Sequence, residues 1–568
     1  MTYSDLFSGA APAAPVDNIA GFAFPANAAT PSNTFEGTLT INNTATGGNY
    51  HIVSESPGYG TVPELHLAPF SFQFVQSGNS FIPEQQGLTI TGATGAVWNY
   101  IIGPGKAWQE STDNGYTRVS FPFALVERNQ NCVHNGEITF LFSNTLSPNI
   151  SNAFYQVTQE TCAHFKIDLW GQLPATYTPG MVANDQALVS AAAAEVSNRL
   201  PTKPFGALAT DFSGSGIDVT AFTKAFVSPQ DITVYGLMVN GTNYVSNCQT
   251  RYGNYANCGE MRLPSYSVAK SAFAGTALMR LGQLYSSSVY AQLIKAWVPQ
   301  YVDGGIWTSV TFDQASKMAT GNYINPGYMV DENSNEEVAF LGTEDFLTKI
   351  TRAFAPFPSK AIPGTLWVYQ THATFILTTA MQAYLQQQLG SGADIFNLVR
   401  NDVFIPIKVS QGGLTTLRTD NSPTGHAIGG YGLFFIPDDI AKIGDFLNNG
   451  LGMIAGNQVL DNVRLQESLF RASNPATIAT LGLPVPDTGS PRVPNTFRYN
   501  NNFWVKHFTP AEFPQYSCDF WVPYMSGFGG ITVLLLPDGL TYYIFSDGNE
   551  FLWYDAVNEI NKIKPFCH

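Results

Sequence analysis

The sequence predicts two parts of different class. An all-β sandwich covers residues 34–170. A larger α/β (α+β) part covers 181–568, with an antiparallel sheet flanked by helices. Three observations carry this. Short alternating runs separated by Gly, Asn, Pro and Ser fill the first stretch. An Ala-rich helical run begins after 180. Strand-like runs then return near the C terminus, so the second sheet draws strands from both ends of its part.

Taken in order, residues 1–33 are rich in Ala and Pro, lack periodicity and read as an irregular segment. Runs at 35–42, 70–75, 97–102, 117–126, 137–142 and 163–170 alternate as half-buried strands. Residues 171–180 hold two prolines and two glycines and read as a linker. A helix is expected over 182–200, ended by Pro201. Residues 231–245 form two strands joined at Asn240-Gly241, a dipeptide that favours the positive φ values of a tight hairpin. Strands follow at 503–508, 520–524, 530–536 and 540–545, with a second hairpin signal at Asp538-Gly539. An amphipathic helix over 553–564 closes the chain.

Composition narrows the function. The net charge is −15 and the pI is near 4.9. Phosphate binding needs a basic stripe, and none occurs, so nucleic acid and anionic membranes are excluded as partners. No apolar run approaches the ~20 residues of a membrane helix. Charged residues make up only 12% of the chain. Six cysteines (Cys132, Cys162, Cys248, Cys258, Cys518 and Cys567) stand in no zinc-ligand spacing. They are either buried thiols of a cytosolic enzyme or disulfides of an exported one, and the low charge favours the second. Of the roughly fifteen pairings six cysteines allow, 132–162, 248–258 and 518–567 are taken. The expected location is periplasmic or extracellular, with a signal peptide absent from this chain and already removed.

The chemistry centres on Ser267 and Lys270, a Ser-x-x-Lys that opens an apolar stretch over 272–281. A helix apolar nearly all round is buried, and residues three apart share a face. A serine hydroxyl is a weak nucleophile without a base within reach. A lysine in a dry cleft loses proton affinity and can supply one. By itself the tetrapeptide is better explained by an exposed Lys beside a helix-capping Ser.

The surroundings change that balance. The stretch 263–271 (LPSYSVAKS) resembles the nucleophile helix of the penicillin-binding protein and serine β-lactamase superfamily, which includes family VIII esterases and 6-aminohexanoate-dimer hydrolases. Further segments follow in the family's order: 312–321 (FDQASKMATG), 362–371 (IPGTLWVYQT), Gly429-Gly430-Tyr431 with 437–444 (PDDIAKIG), and 525–530 (MSGFGG) before a strand. The resemblance covers about 185–565. It implies a β-lactamase/transpeptidase-like catalytic domain that acts without a cofactor or metal. Ser267 would be the acylated nucleophile, Lys270 its activator and Tyr369 the proton relay. The backbone N–H groups of Ser267 and Phe528 would form the oxyanion hole. Thr371, Met525, Ser526 and Gly527 would bind substrate. His372, one helical turn after Tyr369, is a further substrate-binding candidate by its spacing alone.

Two departures from the family pattern shift the substrate. Met525 stands where Lys or His is usual, so a substrate carboxylate loses its customary partner. Thr371 stands where Asn is usual and has a shorter reach. Both favour a neutral ester or amide, small or oligomeric, over a β-lactam or D-Ala-D-Ala. The resulting expectation is a serine hydrolase working through an acyl-enzyme on Ser267. The alternatives are an inactive binding or scaffold protein of the same fold and a true β-lactamase or DD-peptidase. No Gly-x-Ser-x-Gly elbow, HExxH or P-loop appears. The acidic run 331–337 reads as a solvated loop. Trp307, Tyr323 and Tyr328 are candidates for the cleft wall.

Overall fold

The computed structural model describes residues 1–42, 48–56, 65–92, 97–301, 305, 307–486 and 497–567. Its first part is a continuous antiparallel ladder of eleven strands. The path runs Ala175–Pro179, Glu36–Ile41, Phe70–Ser77, Ser80–Pro83, Gly105–Gln109, Thr117–Glu127, Val133–Phe142, Ala153–Thr161, Phe165–Leu173, Asn49–Glu55, with Trp98–Ile102 also paired to Thr117–Glu127. Both halves of this ladder turn side chains into a shared aromatic core around Phe35, Phe74, Phe81, Phe121 and Phe140. Phe74 and Phe81 stack across neighbouring strands at 4.5 Å, and Phe35 meets Phe81 edge-on at 5.2 Å.

Strands Thr117–Glu127 and Val133–Phe142 are buried along their whole length. Their inner face lines the aromatic core. On the other face Ala124, Val126 and Val133 join the core of the second part. These two strands are therefore covered on both faces.

Two expectations about its ends are corrected. Residues 1–33 are not without regular structure: they carry short helices at Tyr3–Ser8 and Asn18–Phe22, capped by the side chains of Thr2 and Asp17. Leu6 and Phe22 anchor them on Tyr116, Leu141 and Phe154. Residues 171–180 are not a linker. They finish strand Phe165–Leu173 and form strand Ala175–Pro179, which pairs with Glu36–Ile41. Ladder hydrogen bonds outweigh the local turn chemistry of Pro174 and Gly180.

The second part is a nine-stranded sheet flanked by helices. Its order is Thr202–Pro204, Thr242–Val245, Ile232–Val239, Thr541–Ser546, Ile531–Leu535, Phe520–Gly527, Phe503–Phe508, Phe497–Asn500, Leu483–Pro484. All pairings are antiparallel except that of the first edge strand. Strands from both ends of this part meet where Ile232–Val239 pairs with Thr541–Ser546. Both hairpin dipeptides adopt the positive φ values their turns need: Asn240 +50° and Gly241 +76°, Asp538 +59° and Gly539 +78°. Helix Pro437–Asn448 packs on the central strands. Gly444 allows this approach, because a Cβ there would lie 2.3 Å from the Thr541 side chain. Helix Thr371–Leu389 is buried through most of its length. The cysteines pair as 132–162, 248–258 and 518–567.

Candidate active site

The site is built on a tight turn. Leu263–Pro264 pairs with Phe434–Phe435, and the Ser265 N–H donates to Leu433 O at 2.9 Å. Tyr266 then takes a left-handed conformation, φ +39°. The N–H groups of Val268, Ala269 and Lys270 return to the carbonyls of Ser265, Tyr266 and Ser267 at 3.0–3.1 Å. Ser267 therefore lies in the turn just before the helix rather than in the helix's first turn. A π-helical turn, Lys270–Gly275, follows and leads into helix Thr276–Tyr285. The Thr276 hydroxyl donates to Ser271 O across it at 3.1 Å. Such turns cluster at functional sites. Strand Phe520–Gly527 ends directly against the Ser267 turn. Gly527 is required there, since a Cβ would come within 2.8 Å of Ser265 O.

Lys270 is buried, 1% exposed. Its Nζ donates to Ser267 Oγ and to Thr371 Oγ1, each at 2.7 Å, and to Gly430 O at 3.4 Å. It also stands 4.9 Å from the Tyr369 ring centroid. Burial lowers its pKa to about 8, against the opposing pull of Glu332 and Glu337. About a tenth of the amine is thus neutral at pH 7, and that form is able to accept the Ser267 proton. Tyr369 is nearly buried, and its phenol oxygen takes part in hydrogen bonds with Ser267 and Trp504. Burial pushes the phenol well above its ordinary value and outweighs those bonds, so Tyr369 rests protonated. The hydroxyl, amine and phenol predicted from two distant stretches of chain converge at one place.

The acidic run is not a solvated loop. Asp331 and Glu337 are buried, and Glu332 sits half-buried at the cleft. Glu332 Oε2 accepts from the Thr371 N–H at 2.7 Å and Oε1 from the Thr371 hydroxyl at 2.5 Å. Lys270, Thr371 and Glu332 therefore form a continuous hydrogen-bonded row. Burial raises the Glu332 pKa, opposed chiefly by Lys270. Asp331 holds the N–H groups of Ile324 and Asn325 and the Gln370 amide, which fixes the segment leading to Tyr369. A run of carboxylates normally signals solvation; nothing local in it announces these partners.

Ser267 opens into a cleft of about 620 Å³. Its wall is largely aromatic: Tyr328, Phe497, Trp504, Tyr524, Phe528 and Trp553 all face it. Glu332 is the sole charged side chain among its described lining residues. Phe528 and Phe551 remain 46% and 42% exposed, which leaves apolar surface open at the mouth.

Of the expected substrate-binding residues, Ser526 and Gly527 line this cleft. Three others do not. Met525 is fully buried, because strand alternation turns Tyr524 and Ser526 to the cleft and Met525 to the core. Thr371 is held between Lys270 and Glu332 and is 2% exposed. His372 is also fully buried. Its Nδ1 pairs with Glu337 at 2.5 Å and its ring stacks on Phe357 at 3.9 Å. Tyr369 precedes the helix that begins at Thr371, so a helical offset does not carry His372 to the cleft. Phe528 lines the cleft beside Ser267, its ring 5.7 Å from that of Tyr266. Of the wall candidates Tyr328 faces the cleft, Trp307 is buried against Phe354, and Tyr323 lies outside the lining. Among the described residues, Cys132, Cys162 and His164 lie close enough together to hold a metal, but the two sulfurs are bonded to each other.

No protein-family model matches the chain, and no curated protein matches it in sequence. Solved structures do. EstCE1, a hydrolase with promiscuous acyltransferase activity, is 12% identical, with a TM-score of 0.43 over 63% of this chain and 99% of its own. A D-stereospecific amidohydrolase from Streptomyces sp. is 15% identical, with a TM-score of 0.39 over 61% and 99%. A penicillin-binding protein homologue from Caulobacter crescentus is 13% identical, with a TM-score of 0.41 over 62% and 95%. The chain is similar to these proteins over about three fifths of its length.

Proposed function

We propose that this protein is an exported serine hydrolase that cleaves a neutral carboxylic ester or amide through an acyl-enzyme. Ser267 Oγ attacks the carbonyl carbon and gives its proton to Lys270 Nζ. Tyr369 passes a proton to the leaving alcohol or amine as the acyl bond breaks. Water then attacks the ester on Ser267 and loses a proton to the same pair, which returns a proton to Ser267 Oγ as the acid departs. The Ser267 and Phe528 N–H groups are assigned to the developing oxyanion. The observation that carries the reading is the 2.7 Å contact between Ser267 Oγ and the Nζ of the buried Lys270.

The cleft supports a neutral substrate with an aromatic or extended apolar acyl group. A carboxylate-bearing substrate meets no cation among its described lining residues and does meet Glu332. The three cysteine pairs support export. The test is hydrolysis of p-nitrophenyl and anilide substrates by the wild type and by Ser267→Ala. Turnover lost in the variant supports the reading, and equal turnover in both overturns it. Nitrocefin hydrolysis at a comparable rate would restore the β-lactamase alternative.

A further inference from the structure

The all-β part reaches into this site. The hairpin between strands Thr117–Glu127 and Val133–Phe142 sends its tip, residues 128–132, against the Ser267 turn. Asn131 at the tip is fully buried. Its Oδ1 accepts from the Tyr266 N–H at 2.8 Å, the Gly432 N–H at 2.8 Å and the Ser265 hydroxyl at 3.1 Å, and its Nδ2 donates to Leu433 O at 3.4 Å. One amide thus ties together the two segments that frame the reacting groups: the turn carrying Ser267, and the strand after Gly430, whose carbonyl meets Lys270.

We infer that Asn131 is a positioning residue for Ser267, and that the all-β part supplies one arm of the active site. This rests on the hydrolase reading above. The physical need is specific. Tyr266 is a bulky residue held at φ +39°, a strained conformation that persists only where its surroundings enforce it. The Tyr266 N–H is the group that must be held, and Asn131 Oδ1 holds it. Without that acceptor the turn relaxes toward negative φ and swings Ser267 Oγ away from Lys270 and Tyr369. A displacement of about 1 Å at a reacting atom costs on the order of a hundredfold in rate.

The arm is braced on both sides. Cys132, the next residue, is bonded to Cys162. Tyr431 donates its hydroxyl to Asn129 O at 2.9 Å, and Asn135 makes two 2.9 Å hydrogen bonds with the Arg262 backbone. Nothing in the catalytic sequence blocks points to Asn131, which lies more than a hundred residues upstream and contacts no substrate space.

The test compares wild type, Asn131→Ala and Asn131→Asp, the last retaining the acceptor oxygen. Three readouts are taken: kcat and KM on a p-nitrophenyl ester, the rate of fluorophosphonate labelling, and amide hydrogen exchange over 265–270 and 431–433. The expected result is a kcat and labelling rate about ten- to a hundredfold lower in Asn131→Ala. KM stays within about twofold, because the cleft wall is untouched. Exchange at both segments is faster, and Asn131→Asp recovers part of the loss, since its second oxygen cannot donate to Leu433 O as Nδ2 does. If Asn131→Ala does not fold, Asn131→Ser, whose hydroxyl falls short of Tyr266, takes its place with the same expectation. An active wild type with an unslowed variant and unchanged exchange overturns the inference. A wild type that neither turns over nor labels overturns the hydrolase reading instead. Exchange then decides the anchor by itself, faster in the variant supporting it and unchanged overturning it.

Discussion

Lys270 Nζ and Ser267 Oγ stand 2.7 Å apart with the amine 1% exposed, so the proposed base and nucleophile are already in hydrogen-bond contact. The first prediction follows from the amine's pKa, lowered to about 8 by burial. Only unprotonated Lys270 can take the Ser267 proton. Activity is therefore low at acid pH, rises with pH and levels off above about 8. A pH profile of kcat/KM reads the ascending limb directly; a profile flat from pH 5 to 9 would exclude Lys270 as the base.

Glu332 tunes that limb through Thr371. Its negative charge raises the Lys270 pKa. Glu332→Gln removes the charge and keeps a hydrogen-bonding group beside Thr371, so the Lys270 pKa falls further and the ascending limb moves to lower pH. A limb that stays in place or moves to higher pH contradicts the coupling.

Tyr369→Phe leaves the aromatic packing against Trp504 and Tyr499 and removes the oxygen that reaches Ser267. The expected loss in kcat is about 10²–10⁴-fold, typical of a positioned acid or base, with thermal stability near wild type. Steady-state kinetics and a melting curve together separate this from a folding defect.

The cleft wall predicts selectivity. Tyr328 is 37% exposed and stacks on Trp367 at its rim. Tyr328→Ala raises KM for bulky aromatic acyl esters by about tenfold, in line with 1–3 kcal/mol for a lost apolar contact, and leaves acetyl esters nearly unchanged. Equal effects on both series would place the acyl group elsewhere.

How much of this was legible in the sequence depended on the range of the signal. Ser267, Lys270 and Tyr369 were readable because their segments carry distinctive local patterns in a fixed order. The hairpins at Asn240-Gly241 and Asp538-Gly539 were readable because turn chemistry is local. Glu332 was not, since an acidic run looks the same whether it meets water or a buried threonine. Asn131 was not, since its partners are more than a hundred residues away. Met525 was within reach: strand alternation puts it opposite Tyr524 and Ser526, a signal that its alignment with a family lysine obscured. The strands over 171–180 were hidden because Pro and Gly there suggest a break, while the ladder partners that hold them come from residues 36–41 and 153–157.

The most direct test of the account is peptide mass spectrometry after brief exposure to a fluorophosphonate probe or an aryl ester. The account predicts a single covalent adduct on the peptide containing Ser267, absent from Ser267→Ala and slowed in Lys270→Ala. An adduct on another residue, or none on a folded protein that hydrolyses the ester, would contradict it.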